Sequence, residues 1–234
     1  MIKRMLGIWL VANFGIVGLL SILRGSWYLG WSHNTYSGIL LQLGLVMLPN
    51  LILPILALRF WWTGPVGSLR DALGWRWQGW RTLLTAVAGF ILVLVITNLI
   101  VRFSGPAIPY NLPGAEPLHS SSLPGALGLL LFILLYVGLT VAAEETLFRG
   151  LMQTQLAKYG FWASLLLPAL LFALRHLPDA LFYGHLWNAT PQMWLTQELQ
   201  LCAVALTLGL VRHFGRSTFA SATMHALVFV IMVL

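Results

Sequence analysis

The chain of 234 residues is 59% hydrophobic and only 8% charged, and its formal net charge is +7. Soluble domains carry roughly 25% charged residues, so this composition predicts that lipid surrounds much of the chain. The basic residues are scattered between apolar runs and form no patch, so we expect no nucleic-acid partner. The single cysteine, Cys202, cannot form an intrachain disulfide.

Apolar segments in chain order suggest a membrane protein, because a spanning helix needs about 20 mostly apolar residues. Seven segments qualify, some marginally, at about residues 5–23, 36–58, 82–102, 125–147, 161–178, 193–211 and 217–234. The first could be a signal peptide, but no cleavage site is obvious, and we interpret it as an uncleaved transmembrane helix. Residues 67–81 mix charged residues with Leu and Trp, which predicts an amphipathic helix on the membrane surface.

These segments predict an all-α fold with a single membrane domain over residues 1–234. The expected architecture is a polytopic transmembrane bundle of about seven spanning helices, plus the amphipathic interfacial helix, around an intramembrane cavity. Lipids are its expected neighbours, because tryptophans lie near both ends of the segments.

The positive-inside rule predicts that the N-terminus is cytoplasmic and the C-terminus is outside. This orientation places most basic residues on the cytoplasmic side: Lys3, Arg4, Arg59, Arg70, Arg76, Arg81, Arg149, Lys158, Arg212 and Arg216. It leaves Arg24, Arg102 and Arg175 on the outer side.

Two adjacent acidic residues, Glu144 and Glu145, follow an uncharged run in the fourth apolar segment. A charged side chain at the centre of a membrane helix costs about 2.5–3.5 kcal/mol on insertion scales, so the pair needs a reason. Glu145 can form an ion pair with Arg149, which lies four residues later on the same helical face. Glu144 points about 100° away and has no basic residue three or four positions on, which makes it a candidate catalytic group.

Two histidines, His176 and His225, also lie in or beside apolar runs, where each alone could be an interfacial or core residue. A turn at Tyr159-Gly160 would place Glu144 about 15 residues before it and His176 about 16 after it. In an antiparallel hairpin these two side chains reach a similar depth if the fourth helix continues past Arg149. The depth of His225 matches that of the other two residues less well, unless its helix begins deeper in the membrane.

A carboxylate and two histidines in a low-dielectric cavity can activate water for attack on a carbonyl group. Glu144 would take the proton, His176 would help to position the water, and His225 would donate to the oxyanion. The same three residues could instead hold a divalent metal such as zinc, although the sequence lacks the His-Glu-x-x-His pair. The spacing leaves both chemistries open.

At these residues the chain resembles the CPBP family of type II CaaX prenyl proteases and bacteriocin-processing (Abi) proteins. Glu144-Glu145-Thr146-Leu147-Phe148-Arg149 resembles its Glu-Glu-x-x-x-Arg motif, and Phe172 to His176 resembles its Phe-x-x-x-His motif. The resemblance covers about residues 125–234, including a last motif that ends in His225. It implies a metal-independent intramembrane protease of a bacterial or archaeal cell membrane, which cleaves a membrane-associated or lipidated protein. By the same resemblance, Glu144, His176 and His225 are catalytic, and Glu145, Arg149 and Phe172 support them.

One position departs from the family pattern. The family usually has Asn four residues after the last histidine, where this chain has Phe229. A lost oxyanion donor can cost about 10²–10³-fold in rate, so another donor substitutes, the site is slow, or the chain is a non-catalytic scaffold, chaperone or immunity factor. Asn50 and Asn98 are candidate donors, although hydrogen bonding between helices explains them better. A proton-coupled transporter is a further alternative, because intramembrane Glu and His residues also build proton relays.

Overall fold

A computed structural model of the chain describes residues 2–15, 47–56, 59, 69–107, 130, 134, 137–177 and 190–233. Helices and their connections account for these residues, without a β-strand among them, so the all-α prediction is confirmed for this part of the chain. In the N-terminal half, the helices are α1 (Ile2–Leu10, continued as a π-helix over Val11–Gly15), α2 (Met47–Leu56), α3 (Leu69–Ala72) and α4 (Trp80–Ser104).

The C-terminal half contains the helices that carry the predicted site. Helix α5 is a continuous helical run built from Gly138–Glu144, a π-helix over Glu145–Gln153, then Thr154–Leu156 and a 3-10 turn over Ala157–Tyr159. It is followed by α6 (Phe161–Leu174), α7 (Pro191–Gly215) and α8 (Thr218–Val233). The longer of these helices run through the predicted apolar segments and therefore agree with the hydropathy pattern.

Two helices, α4 and α7, are long and apolar enough to cross a membrane, and they match the predicted spans 82–102 and 193–211. Apolar side chains such as Leu84, Val87, Ile91 and Val95 are exposed along α4. Such a surface suits contact with lipid rather than water. The other predicted spans appear as shorter helices or lie partly outside the described residues, and the count of seven and the enclosed cavity remain predictions.

Helices α4, α7 and α8 pack closely through small residues. A side chain at Gly89 of α4 would collide with Val211 of α7 and Met224 of α8, so the three helices approach one another at this glycine. Small residues at helix contacts allow close van der Waals packing where the hydrophobic effect contributes little. This packing fixes α8, which carries His225, against the long apolar helices.

Helices α5 and α6 form the predicted hairpin. The turn lies at Gly160, whose φ of 104° is a conformation that favours glycine. Helix α5 continues past Arg149 to Tyr159, as the depth estimate requires. Both features of the hairpin prediction are therefore confirmed.

The predicted amphipathic helix over residues 67–81 is wrong. Between residues 69 and 79 the chain is helical only over Leu69–Ala72, and it then turns at Gly74, whose φ is 70°. The Gly74 carbonyl accepts a hydrogen bond from the Thr218 N–H at 2.8 Å, and the Leu73 carbonyl accepts one from the Thr218 hydroxyl at 2.7 Å. These carbonyl groups are used to cap the start of α8, so tertiary contacts replace the helix that the composition favours.

Candidate active site

The adjacent glutamates lie where α5 changes from an α-helix to a π-helix. Glu144 is the last residue of the α-helical part and Glu145 the first of the π-helix, and their side chains are 2% and 0% exposed. Single π-helical turns are rare and occur frequently at functional sites. Both carboxylates are buried in the interior of the helix bundle.

His225 of α8 contacts both glutamates. Its Nδ1 lies 2.9 Å from Oε1 of Glu145, and its Nε2 lies 3.6 Å from Oε2 of Glu144. An ionised carboxylate only accepts hydrogen bonds, so Nδ1 is the donor to Glu145. Helix α8 carries His225 to the level of the two glutamates because its first residue, Thr218, is completely buried beneath the segment around Gly74.

Arg149 forms the predicted ion pair with Glu145, one helical turn earlier. Its Nη1 lies 3.3 Å from Oε1 of Glu145, and its Nη2 donates to the Ala205 carbonyl of α7 at 2.9 Å. The guanidinium carbon also lies 4.9 Å from the centroid of the Phe172 ring. Arg149 is only 1% exposed, so it lies in the interior of the bundle.

Arg175 is the residue at this site that the sequence prediction missed. Its Nη1 donates to Oε1 of Glu144 at 2.6 Å, and the arginine is only 3% exposed. The charge count, which assigned Arg175 to the outer side of the membrane, gave no sign of this pairing. The hairpin geometry contained the signal, because the matched depth of Glu144 and His176 applies equally to the residue before His176.

His176 does not hydrogen-bond to Glu144 among the described residues. Its Nδ1 lies 2.9 Å from the Phe172 carbonyl, and because a carbonyl only accepts, Nδ1 is the donor. In the neutral ring this leaves Nε2 as the acceptor nitrogen. The Phe172 ring contacts both histidines, with centroid distances of 5.2 Å to His176 and 5.8 Å to His225. Phe172 therefore links the two histidines, which lie in one neighbourhood.

Phe229, which occupies the position of the family asparagine, stacks on His225. The two ring centroids are 5.1 Å apart with an angle of 26° between their planes. Of the two candidate replacement donors, Asn50 donates to Oδ1 of Asn13 at 3.3 Å, as expected for a hydrogen bond between helices. Asn98 is exposed and donates to the Leu94 carbonyl of its own helix. Neither of these hydrogen bonds brings an amide to the glutamates.

The zinc alternative required Glu144, His176 and His225 to converge on one ion. Among the residues with described positions, His, Cys, Asp and Glu side chains form no group of three or more that could hold a metal. The hydrogen bonds engage Oε1 of Glu144 and the Nδ1 of each histidine, which leaves Oε2 and the two Nε2 atoms as the possible ligand atoms. The donor set as arranged does not fit a zinc site with three protein ligands.

Comparison with known families supports the resemblance seen in the motifs. Residues 126–231 match the family model described as type II CAAX prenyl endopeptidase Rce1-like. This match bears out the CPBP resemblance for that part of the chain. This is a family of membrane-embedded proteases, and the two long apolar helices α4 and α7 agree with that setting. Searches of curated proteins and of solved structures found no match.

Proposed function

We propose that the chain is an intramembrane endopeptidase that uses a glutamate-activated water. The substrate class would be a membrane-associated or lipidated protein, such as a prenylated C-terminal sequence. The observation that carries this proposal is the buried group of Glu144, Glu145 and His225 inside the family-matched segment. Ionisable groups in such an environment are expensive to maintain, and they are functional by default in membrane helices.

Glu144 is the better candidate for the general base because its two oxygens have different surroundings. Its Oε1 is engaged by Arg175, while its Oε2 lies 3.6 Å from Nε2 of His225, beyond a direct hydrogen bond. Glu145 is completely buried, and its Oε1 is shared by Arg149 and His225. The contacts of Glu145 therefore suit a structural role, and we assign the reacting water to Oε2 of Glu144.

The reaction follows from these positions. Oε2 of Glu144 removes a proton from water, and the resulting hydroxide attacks the carbonyl carbon of the scissile peptide bond. The negative charge that develops on the carbonyl oxygen would be stabilised by the Nε2–H of a doubly protonated His225, whose Nδ1 donates to Glu145, and His176 would help to position the water. The proton on Glu144 passes to the leaving nitrogen as the carbon–nitrogen bond breaks.

The charges of the cluster balance, which explains how the bundle tolerates two adjacent carboxylates. Glu144 pairs with Arg175 and Glu145 pairs with Arg149, so two negative and two positive charges are buried together. Breaking either pair would leave an uncompensated buried charge, which is strongly unfavourable. Ion pairing alone accounts for the glutamates, but it does not require His225 to lie between them.

The placement in the membrane follows the same proposal. Residues 1–234 would form a single membrane domain in a bacterial or archaeal cell membrane, with the N-terminus cytoplasmic and the C-terminus outside. Arg81, at the start of α4, donates to the Phe214 carbonyl at the end of α7 at 2.7 Å, so these two helix ends lie on the same side of the bundle. Both were assigned to the cytoplasmic side by the positive-inside rule.

The test is cleavage of an internally quenched farnesylated peptide ending in a CaaX sequence, with purified protein in lipid vesicles. Glu144→Gln should reduce kcat by about 10²–10⁴-fold, the usual contribution of a general base. Glu198→Gln is the matched control, because Glu198 is a half-buried carboxylate on α7 outside the cluster. Full activity of a folded Glu144→Gln variant would contradict the proposal.

A non-catalytic scaffold, chaperone or immunity factor with the same fold is the second candidate. Phe229 favours it, because an aromatic ring stacked on His225 replaces a polar family residue. In that case, the biological activity of the chain would survive in a Glu144→Ala/His176→Ala double variant. Loss of that activity in the double variant, with normal membrane insertion, supports the enzyme instead.

A further inference from the structure

We propose that Arg175 is a positioning residue, which anchors one oxygen of Glu144 so that the other oxygen faces His225 and the reacting water. The inference rests on the proposed protease function, and it assigns a role to a residue outside the motif positions. The juxtaposition that carries it is the pair formed by Nη1 of Arg175 and Oε1 of Glu144, which are 2.6 Å apart and buried.

Arg175 is held in place by the end of α6. It follows Leu174, the last residue of that helix, and its backbone N–H donates to the Leu171 carbonyl at 3.1 Å. Its Nη2 lies 3.8 Å from the sulfur of Met47 in α2, so the guanidinium contacts side chains of two other helices. A side chain anchored in this way has little rotational freedom, which is the requirement for a group that orients another.

The geometry distinguishes the two oxygens of Glu144. A free glutamate carboxylate rotates about its last torsion with a broad two-fold preference, so either oxygen could face His225. A short, charge-assisted hydrogen bond from Arg175 to Oε1 removes this ambiguity and leaves Oε2 toward Nε2 of His225. No hydrogen bond from Arg149 to Glu144 occurs among the described residues; Arg149 pairs with Glu145.

A merely structural ion pair would have a different kinetic signature. If Arg175 served stability alone, its loss would lower the amount of folded protein and leave kcat per folded molecule unchanged. A positioning residue acts on the transition state, so its loss lowers kcat while KM changes little. A diffusible guanidinium ion in the space left by the side chain would then restore part of kcat.

The experiment compares Arg175→Ala, Arg175→Lys and Glu198→Gln with wild type in the farnesylated CaaX peptide assay, with Glu144→Gln alongside. Arg175→Ala should lower kcat by about 10- to 100-fold, the kinetic equivalent of losing a hydrogen bond to a charged group. Millimolar guanidinium should raise kcat of Arg175→Ala but not of Glu144→Gln. Arg175→Lys should retain an intermediate kcat, because lysine keeps the charge but not the planar donor pair. Glu198→Gln changes a half-buried carboxylate of α7 outside the cluster and should keep the wild-type kcat.

The outcomes separate this inference from the proposed function. If wild type and Glu198→Gln cleave the peptide, Glu144→Gln does not, and Arg175→Ala keeps the wild-type kcat, then Arg175 has no positioning role and the protease proposal stands. A low kcat that guanidinium fails to raise and that Arg175→Lys does not improve also overturns the inference. If Arg175→Ala does not fold, the kcat of Arg175→Lys decides. Absence of cleavage by wild type overturns both proposals.

Discussion

Replacement of Arg149 by methionine should be among the most destabilising single changes in the described bundle. Arg149 is the largest of the fully buried side chains in the described residues. It contacts Glu145, the Ala205 carbonyl and the Phe172 ring. Methionine retains much of the apolar stem but removes the charge and all its donors. The variant therefore isolates the ionic contribution from a simple loss of packing volume.

The expected magnitude follows from these contacts. Breaking a buried ion pair by removing one partner costs about 3–5 kcal/mol, because the Glu145 carboxylate is left without a counterion. Loss of the donor to the Ala205 carbonyl adds about 1 kcal/mol. In the double variant Glu145→Gln/Arg149→Met neither member of this ion pair remains charged, and the new side-chain amide can still accept from His225. Its loss of stability should therefore be at least about 2 kcal/mol smaller than the sum of the two single losses.

The measurement is the free energy of unfolding in mixed micelles, followed by tryptophan fluorescence and circular dichroism. A second cycle on Arg76 and Asp71 provides the control, because this pair has a short 2.8 Å contact but is solvent-exposed. Its coupling energy should be below about 1 kcal/mol. If the losses for Glu145 and Arg149 add to within about 0.5 kcal/mol, the two residues are energetically independent and the reasoning fails.

Two further changes test other parts of the molecule. Gly74→Ala should reduce stability by about 1–3 kcal/mol, since Gly74 has a φ of 70° and its new Cβ would collide with the Arg212 guanidinium. Gly138→Ala is its control, because nothing lies within 4 Å of a Cβ there; equal losses for both variants would disprove the close approach. Cleavage of the farnesylated peptide should survive exhaustive dialysis against a chelator, since the described donors form no metal site. A loss of activity that zinc restores would refute that expectation.

The sequence was sufficient for features that depend on local periodicity and composition. The long apolar helices α4 and α7, the turn at Gly160 and the pair of Glu145 and Arg149 were all predictable. Each follows from residues close together in the chain, through hydropathy, backbone conformation or the spacing of one helical turn. The three short motifs also led to the family that the match over residues 126–231 confirms.

Tertiary structure alone decided the features that join distant segments. The sequence around Gly74 favours an amphipathic helix, but its carbonyl groups bind Thr218 and thereby let α8 begin below the surface. Charge counting could only assign Arg175 to the outer side of the membrane. Its contact with Glu144 comes from the α5–α6 hairpin. In both cases a buried polar group must find a partner, and the nearest partner in space is far away in the chain. Glu144 and Glu145 can be recognised from the sequence, but their division of roles depends on which guanidinium and which histidine nitrogen each one meets.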